Sequence, residues 1–365
     1  MIKQNQDFKI ALIGDSLSSG GAERVHAHLS NFFVTNGYDV FNCVLVDAVS
    51  YRYSGSIFNL GNIGADLDFI NRKIKRFLAL RKFIRENQFD VVIDFRMRNN
   101  FIRDYLLSKY VFSKDTYYTI HSGILNYYFP KNKFLSKLIY KNKNLIVVSK
   151  AIKEKIFVEK ELEKTFQIYN PIDTKQILKL KEEFIPEIKN YITAVGRMND
   201  EIKQFDKLII AYSKSELPQN NIDLALLGEG KNQEKYMKLT KKLGLENRVK
   251  FLGFQNNPFP YYKNALFTVL ASKNEGFPNV LIESLACGTP VVSFDCFSGP
   301  NEIIEHNYNG ILVNNQDFNE LVLAMNTLLE NKEMQQKLSS NAVDSVKQFD
   351  LENIGQKWVD LLKKN

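Results

Sequence analysis

The chain has 365 residues, roughly twice the length of an ordinary domain, which rules out a single small module and predicts two domains, each with its own core. Its composition, 44% hydrophobic, 12% aromatic and 25% charged with 18 Gly and 9 Pro, excludes disordered, collagen-like and low-complexity classes. The net charge of +8 belongs to the first half: residues 1–185 carry 29 Lys and Arg against 19 acids, residues 186–365 carry 20 against 22. The basic half should face an anionic partner, with nucleic acid, an anionic membrane surface and a phosphorylated substrate all satisfying the charge.

At the start of the chain Lys3 and Lys9 are not followed by an apolar run of signal-peptide length. Nowhere do about 18 uncharged apolar residues run together, so neither a signal peptide nor a spanning helix is expected and the protein is read as cytosolic. Strand-like β-branched runs at 8–14, 40–46, 91–94, 116–120 and 145–149 alternate with amphipathic segments. A linker follows near 180–190, where Lys179–Glu183 gives way to Ile185 and Pro186. The rhythm resumes at 191–195, 222–227, 248–252, 266–270 and 290–294. This pattern predicts an α/β protein of two Rossmann-like domains, 1–184 and 185–345, whose ligands bind beyond the carboxyl ends of the strands. A helix closes the chain within 346–365; its stripe of Ile354, Trp358, Leu361 and Leu362, with Lys364 near the end, can pack on either domain or return to the first. Cys43, Cys287 and Cys296 have no metal-ligand spacing and are read as buried thiols in a reducing compartment.

The richest stretch runs from Asn274 to Pro290, a loop feeding a helix after the strand at 266–270. Pro278 suits a helix's first turn, Asn279 can help cap it, and Gly288 with Pro290 ends it. Free N–H groups of Asn279, Val280 and Leu281 at such a terminus can take a phosphate, while Glu275 in the loop and Glu283 on the helix can grip hydroxyls. Phosphate in the middle and hydroxyls at either end describe a nucleotide sugar; a routine strand-loop-helix unit with Glu275 capping is the plainer reading. Gly196 and Arg197 end another strand, and Lys203 follows six residues after Arg197. The two cations can neutralise a diphosphate leaving group without a metal. Gly20 and Gly21, after the first strand, let backbone approach a ligand closely, but their spacing is not that of a dinucleotide fingerprint. Gly228 and Gly230 form a similar turn.

Taken in order, Gly20-Gly21-Ala22-Glu23, Val195-Gly196-Arg197 with Lys203, Leu227-Gly228-Glu229-Gly230, Phe251-Leu252-Gly253, Glu275-Gly276-Phe277-Pro278 with Glu283, and Gly299-Pro300-Asn301-Glu302-Ile303 resemble the retaining nucleotide-sugar glycosyltransferases of family 4, of GT-B fold. The resemblance covers nearly the whole chain, is strongest over 191–315 and implies that the two domains face each other across a cleft. It implies that Arg197 and Lys203 hold the donor diphosphate, Glu283 the ribose and Glu275 the donor sugar, with backbone from Gly276 and Phe277 to Leu281 touching sugar and phosphate. Phe254 would flank the base, Gly20 and Gly21 would approach the donor phosphate or the acceptor, and His121 matches a histidine that lines the reaction centre. It further implies no cofactor and no metal, a donor that is commonly a UDP-sugar of a hexose or N-acetylhexosamine, and a glycan or lipid-linked acceptor of polysaccharide synthesis. Two departures stand out: the Arg-to-Lys spacing is one residue longer than in many members, and Gln204 replaces the Gly that often follows the Lys.

Other clusters have simpler readings. His26 and His28 are two apart on a predicted helix, so they point to different faces and cannot pair on a metal. Asp66 and Asp68 are expected to cap a helix. Asp94 and Arg96 after a strand suit either an acceptor or an ion pair. The basic amphipathic segments 72–85 and 129–143 can lie on an anionic membrane with Phe and Leu inward, or form an outer layer with apolar stripes packed inside. No nucleic-acid motif is present. Two alternatives to a transferase stay open, a sugar-nucleotide epimerase or phosphorylase of the same fold and a catalytically silent sugar-nucleotide-binding subunit.

Overall fold

The structure, a computed structural model, describes residues 7–18 and 20–363, so Lys3 and Lys364 lie outside it. Two compact units emerge: residues 7–171 with 351–363, and residues 172–350.

Unit 1 runs β1 (Lys9–Gly14), α1 (Gly21–Thr35), β2 (Asp39–Val44), β3 (Ser56–Asn59), α2 (Phe69–Asn87), β4 (Val91–Asp94), α3 (Phe101–Tyr110), β5 (Thr116–Ile120), α4 (Lys133–Tyr140), β6 (Asn144–Val147), α5 (Lys150–Lys160) and β7 (Thr165–Gln167). Its sheet has the order β3-β2-β1-β4-β5-β6-β7 and every pairing is parallel. Parallel strands are covered on both faces, which is why Ile10-Ala11-Leu12-Ile13 is a continuous apolar run with no exposed residue. Helix starts are written locally. Asp68 accepts from the N–H groups of Ile70 (3.0 Å) and Asn71 (3.2 Å), and Asn100 from that of Arg103 (3.0 Å).

Unit 2 runs α6 (Thr174–Leu180), β8 (Tyr191–Val195), α7 (Phe205–Lys214), β9 (Asp223–Leu227), α8 (Gln233–Lys242), β10 (Val249–Gly253), α9 (Phe259–Asn264), β11 (Thr268–Leu270), α10 (Asn279–Ala286), β12 (Val291–Phe294), α11 (Pro300–Ile303), β13 (Gly310–Val313), α12 (Phe318–Glu330) and α13 (Lys332–Ser345). Its parallel sheet has the order β10-β9-β8-β11-β12-β13. Tyr212, Tyr236, Phe267, Phe294 and Met325 are among its core side chains. In each unit the strand order reverses direction once, between β1 and β4 and between β8 and β11, and open α/β sheets bind ligands at that switch point, beyond the carboxyl ends of the strands.

The unit boundary corrects the expectation of 184/185. It falls at 171/172, because α6 packs on α9 and α10 and the segment after it is tied to the same unit: the Asn257 side chain donates to the Leu180 carbonyl (2.9 Å) and Lys181 Nζ to that of Cys287 (3.4 Å). The closing segment divides at 350/351 rather than at 346. Helix α14 (Leu351–Lys363) places Leu351, Ile354, Trp358, Val359 and Leu362 in the core of unit 1 against Val25, Leu29 and Phe32 of α1. Gly355 makes this approach possible, since a Cβ there would stand 2.5 Å from the Phe32 ring.

Candidate active site

The switch point of unit 2 gathers the residues singled out in its sequence. The loops after β8 and β11 leave neighbouring strands in opposite directions, and Lys203 Nζ in the first meets Glu275 Oε1 in the second at 2.7 Å. A backbone bond ties the same loops, from Lys273 N–H to the Ile202 carbonyl (2.9 Å). The Lys203 side chain reaches Glu275 over Gly196, where a Cβ would stand 3.1 Å from its methylenes. Arg197 is exposed at the end of β8 and makes no ion pair among the described residues.

The floor beside it is glycine backbone. A Cβ on Gly228 would sit 2.1 Å from the Gly196 carbonyl oxygen and one on Gly230 2.4 Å from the Met198 carbonyl carbon, so neither turn admits a side chain. Gly228 N–H in turn donates to the Gly253 carbonyl (2.7 Å), and Phe254 follows half exposed.

Helix α10 begins at Asn279. Pro278, expected in its first turn, is instead the N-cap residue in extended conformation, and no side chain caps the helix there. Asn279, expected to help cap it, is the first helical residue and not the N-cap. Leu281 N–H turns back to the Pro278 carbonyl (3.0 Å). The Gly276 carbonyl accepts from Ser298 Oγ (2.6 Å), Phe277 is buried edge-on against Phe349, and Val280 lies on the first turn. Glu283 is buried on the same helix, with the Tyr262 hydroxyl 3.4 Å from its Oε2.

Gln204, the departure from the family pattern, is buried with φ 50 and ψ 41. That left-handed conformation costs a side chain strain that glycine escapes, which is a physical reason for glycine at this place. Its side-chain amide donates to Gln316 Oε1 (2.9 Å), itself at φ 66.

In unit 1, Gly20 and Gly21 stand at the start of α1, beside the β1/β4 switch point. Gly20 N–H donates to the Tyr51 hydroxyl (3.1 Å), and a side chain at 20 would strike the Glu23 carboxylate. Asp15, whose carboxyl burial pushes above its ordinary value, accepts from Met97 N–H (3.0 Å) across the same switch point. His121 follows β5. Its N–H donates to the Tyr128 hydroxyl (3.2 Å), Phe95 packs against its ring at 5.8 Å, and burial, aided by Arg98, lowers its pKa to about 3.

Asp94 and Arg96 are an ion pair: Arg96 binds Asp94 through Nε (2.8 Å) and Nη2 (2.9 Å), wholly out of water. Burial opposes the Arg96 charge, but Asp94, with Asp104 and Asp15, outweighs it and raises its pKa. Arg98, which no motif singles out, is also buried, and its guanidinium donates to the carbonyls of Asp94 (3.2 Å), Arg96 (3.0 Å) and Thr119 (2.6 Å) and so ties the end of β4 to the end of β5. Its spacing of four from Asp94 was the available signal.

His26 hydrogen-bonds Asn42 Oδ1 (3.0 Å) and stacks on Phe95, and burial lowers its pKa to about 4; His28 is lowered to about 3 by burial and then by Arg24. Above pH 6.5 these histidines are neutral in folded and unfolded chain alike and cost nothing. Below it the unfolded chain takes up protons that the folded unit refuses, so stability falls as pH drops from 6.5 towards 4. His26 alone should remove about 3 kcal/mol over that range, at ~1.4 kcal/mol per pH unit. Urea titrations across this range should show it, and a His26→Gln variant should have a flatter profile.

Among the described residues no group of three or more His, Cys, Asp or Glu could hold a metal ion, and no helix is long and apolar enough to cross a membrane. Two parallel α/β units, each with its own switch point, are the architecture of a GT-B transferase. Residues 176–344 match the family described as glycosyl transferases group 1. The chain is 31% identical, over 94% of its length and 96% of the relative's, to the N-acetylgalactosamine-N,N'-diacetylbacillosaminyl-diphospho-undecaprenol 4-alpha-N-acetylgalactosaminyltransferase of Campylobacter jejuni. Its fold is similar to that of sucrose-phosphate synthase from Thermosynechococcus elongatus (TM-score 0.80, 22% identity, 98% of each chain) and of Anabaena HepE in complex with UDP and glucose (TM-score 0.76, 22% identity, 98% of this chain and 100% of that one). The protein belongs to the group 1 glycosyl transferases, family 4, and moves a hexose or N-acetylhexosamine from a nucleotide-sugar to a glycan or lipid acceptor in polysaccharide synthesis.

Proposed function

We propose that unit 2 binds the donor at the β8/β11 switch point, that the donor is a UDP-sugar, and that the acceptor is a lipid-linked saccharide of a bacterial-type surface polysaccharide or glycoconjugate. The observation that carries this reading is the contact between Lys203 and Glu275, which sets a cation suited to phosphate against a carboxylate suited to hydroxyls, the adjacency that a sugar diphosphate requires. Arg197 and Lys203 take the diphosphate together with the backbone N–H groups of Asn279 and Val280, that of Leu281 being already engaged by the Pro278 carbonyl, while Glu283 takes the ribose and Phe254 flanks the base. Gly196, Gly228 and Gly230 keep the floor low, while Glu275, Gly276 and Phe277 hold the sugar. From unit 1, His121 serves the reaction centre as a neutral imidazole, and Gly20 and Gly21 admit the phosphate or the acceptor.

Departure of the diphosphate is the demanding step, and fixed cations with a helix terminus stabilise its charge as it develops. The acceptor hydroxyl attacks from the same face as the bond between the anomeric carbon and the diphosphate oxygen breaks, its proton passes to the departing diphosphate, and configuration is retained with no metal taking part. The C. jejuni relative's name specifies a diphospho-undecaprenol-linked substrate and HepE is solved with UDP, which supports both halves of the reading. Such an acceptor places the enzyme at the cytosolic face of a membrane, in peripheral contact with anionic lipid.

A thermal-shift panel of UDP, GDP and ADP with their common sugars tests the donor side. A ligand at a hundredfold its Kd stabilises the folded state by about 2.7 kcal/mol. UDP and a UDP-sugar should raise the melting temperature by several degrees, with EDTA making no difference. No shift with any nucleotide would overturn the proposal.

A further inference from the structure

The outer layer of unit 1 does not behave as a layer that buries all its apolar side chains. Helices α2, α3 and α4 follow β3, β4 and β5, and right-handed crossovers running the same way along the sheet put all three on one face, opposite α1 and α14. Each turns a stripe of large apolar residues to water at a spacing of four: Ile70, Ile74 and Leu78; Ile102, Leu106 and Tyr110; Phe134 and Leu138. The outermost, Ile70, Ile102 and Phe134, are 67%, 70% and 73% exposed. Inner faces are occupied separately. Leu80 of α2 is buried and Phe83 stacks on Phe58 of β3 at 4.4 Å, so the helix is anchored without using its outer stripe. Single exposed apolar side chains are ordinary, but stripes repeated on three helices of one layer mark an interaction surface.

Charge chooses the partner. These helices carry eleven Lys and Arg against two acids, Glu86 and Asp104; Asp104 is already buried against Arg103, and Lys133 and Lys137 pair with Glu161 at the end of α5, so most of the excess positive charge sits on α2. Between α3 and α4 lies an open groove of about 680 Å³, walled by Lys109, Lys137, Lys141 and Lys143 with Phe134 and Leu138, and no carboxylate lines it. Lys143 is held below its usual pKa by burial, which an anion in the groove would relieve. Cations spread over three helices, each on a long apolar stem beside an apolar stripe, match the headgroup level of a bilayer better than one acidic cleft.

We infer that the outer face of α2, α3 and α4 is the surface that rests on an anionic lipid bilayer, its apolar stripes entering the interface and the α3/α4 groove receiving a lipid phosphate. The inference rests on the reading of a lipid-linked acceptor and adds which face meets the membrane. It also leaves the carboxyl edge of the sheet, with Gly20, Gly21 and His121, clear of the contact.

Flotation of the full chain with vesicles tests it, using phosphatidylcholine alone and phosphatidylcholine mixed with phosphatidylglycerol. The unaltered protein should float only with the anionic vesicles and be released by salt. Ile74→Asp with Leu138→Asp, and separately Arg81→Glu with Lys141→Glu, should each cut partitioning by about tenfold or more. Urea unfolding of unit 1 should keep its midpoint in both variants, which certifies the fold of the unit that carries them, and the UDP-induced melting shift of unit 2 should persist. An unaltered protein that stays in solution with anionic vesicles, or folded variants that float as well as it does, would overturn the inference. Flotation that follows this pattern in a protein with no nucleotide shift would remove the proposed donor site and leave the membrane face standing.

Discussion

Glu275→Ala should lower sugar transfer by on the order of a hundredfold or more while the protein melts within a degree or two of the unaltered chain. The two effects separate because of where the pair with Lys203 lies. Both side chains keep some solvent access, at 20% and 12%, so as a structural salt bridge it contributes about 1 kcal/mol or less. As a site it fixes the Lys203 ammonium over the glycine floor and presents a carboxylate beside it, and loss of one preorganised polar group of this kind costs about 10²–10³ in rate. Glu275→Gln should fall between, since the amide still bonds hydroxyls but no longer balances the lysine. The measurement is steady-state transfer with the donor identified by the melting panel, alongside thermal unfolding. Unchanged kinetics in the alanine variant would remove Glu275 from the site.

The second large effect is on stability. Asp94→Ala should destabilise unit 1 by about 3–5 kcal/mol, because it strands the buried guanidinium groups of Arg96 and Arg98 without their carboxylate. Asp94→Asn keeps the volume and most hydrogen-bonding positions, so it isolates the charge and should still cost a large part of that. Urea unfolding followed separately in the two units would read this as an earlier transition in unit 1 alone. An Asp94→Asn variant with an unshifted midpoint would show that packing rather than charge pairing holds the cluster.

How far the sequence could be read follows from where each feature gets its specificity. Interior strands such as Ile10-Ala11-Leu12-Ile13 and Tyr191-Ile192-Thr193-Ala194-Val195 are written as apolar runs because both faces are covered. The three strands not anticipated are all at sheet edges: β3, β7 and β13. They are only three or four residues long, with a neighbour on one side, and their pairing is decided by the sheet they join rather than by their own pattern. The motifs proposed to hold the donor stand out in the sequence because phosphate and hydroxyl recognition demand particular residue types at loop ends. The contact of Lys203 with Glu275 was not, since 72 residues separate them and only the switch point brings them together. Likewise Gln204 stood out as the wrong residue, but only the fold reveals the left-handed backbone there. For α2 and α4 a buried inner stripe and an exposed outer one share the same helix, so packing against the sheet does not exclude contact with a membrane.

The docking of α14 on α1 also sets an order of events in time. Unit 2 is one uninterrupted stretch of chain, whereas unit 1 lacks Ile354, Trp358 and Leu362 from its core until the ribosome has passed unit 2 entirely. During synthesis the first domain to emerge is therefore the last to be finished, and it waits with the α1 surface around Phe32 bare while its neighbour folds. A nascent chain stalled before residue 351 should present that bare surface to chaperones, and supplying residues 351–363 as a separate peptide should cover it.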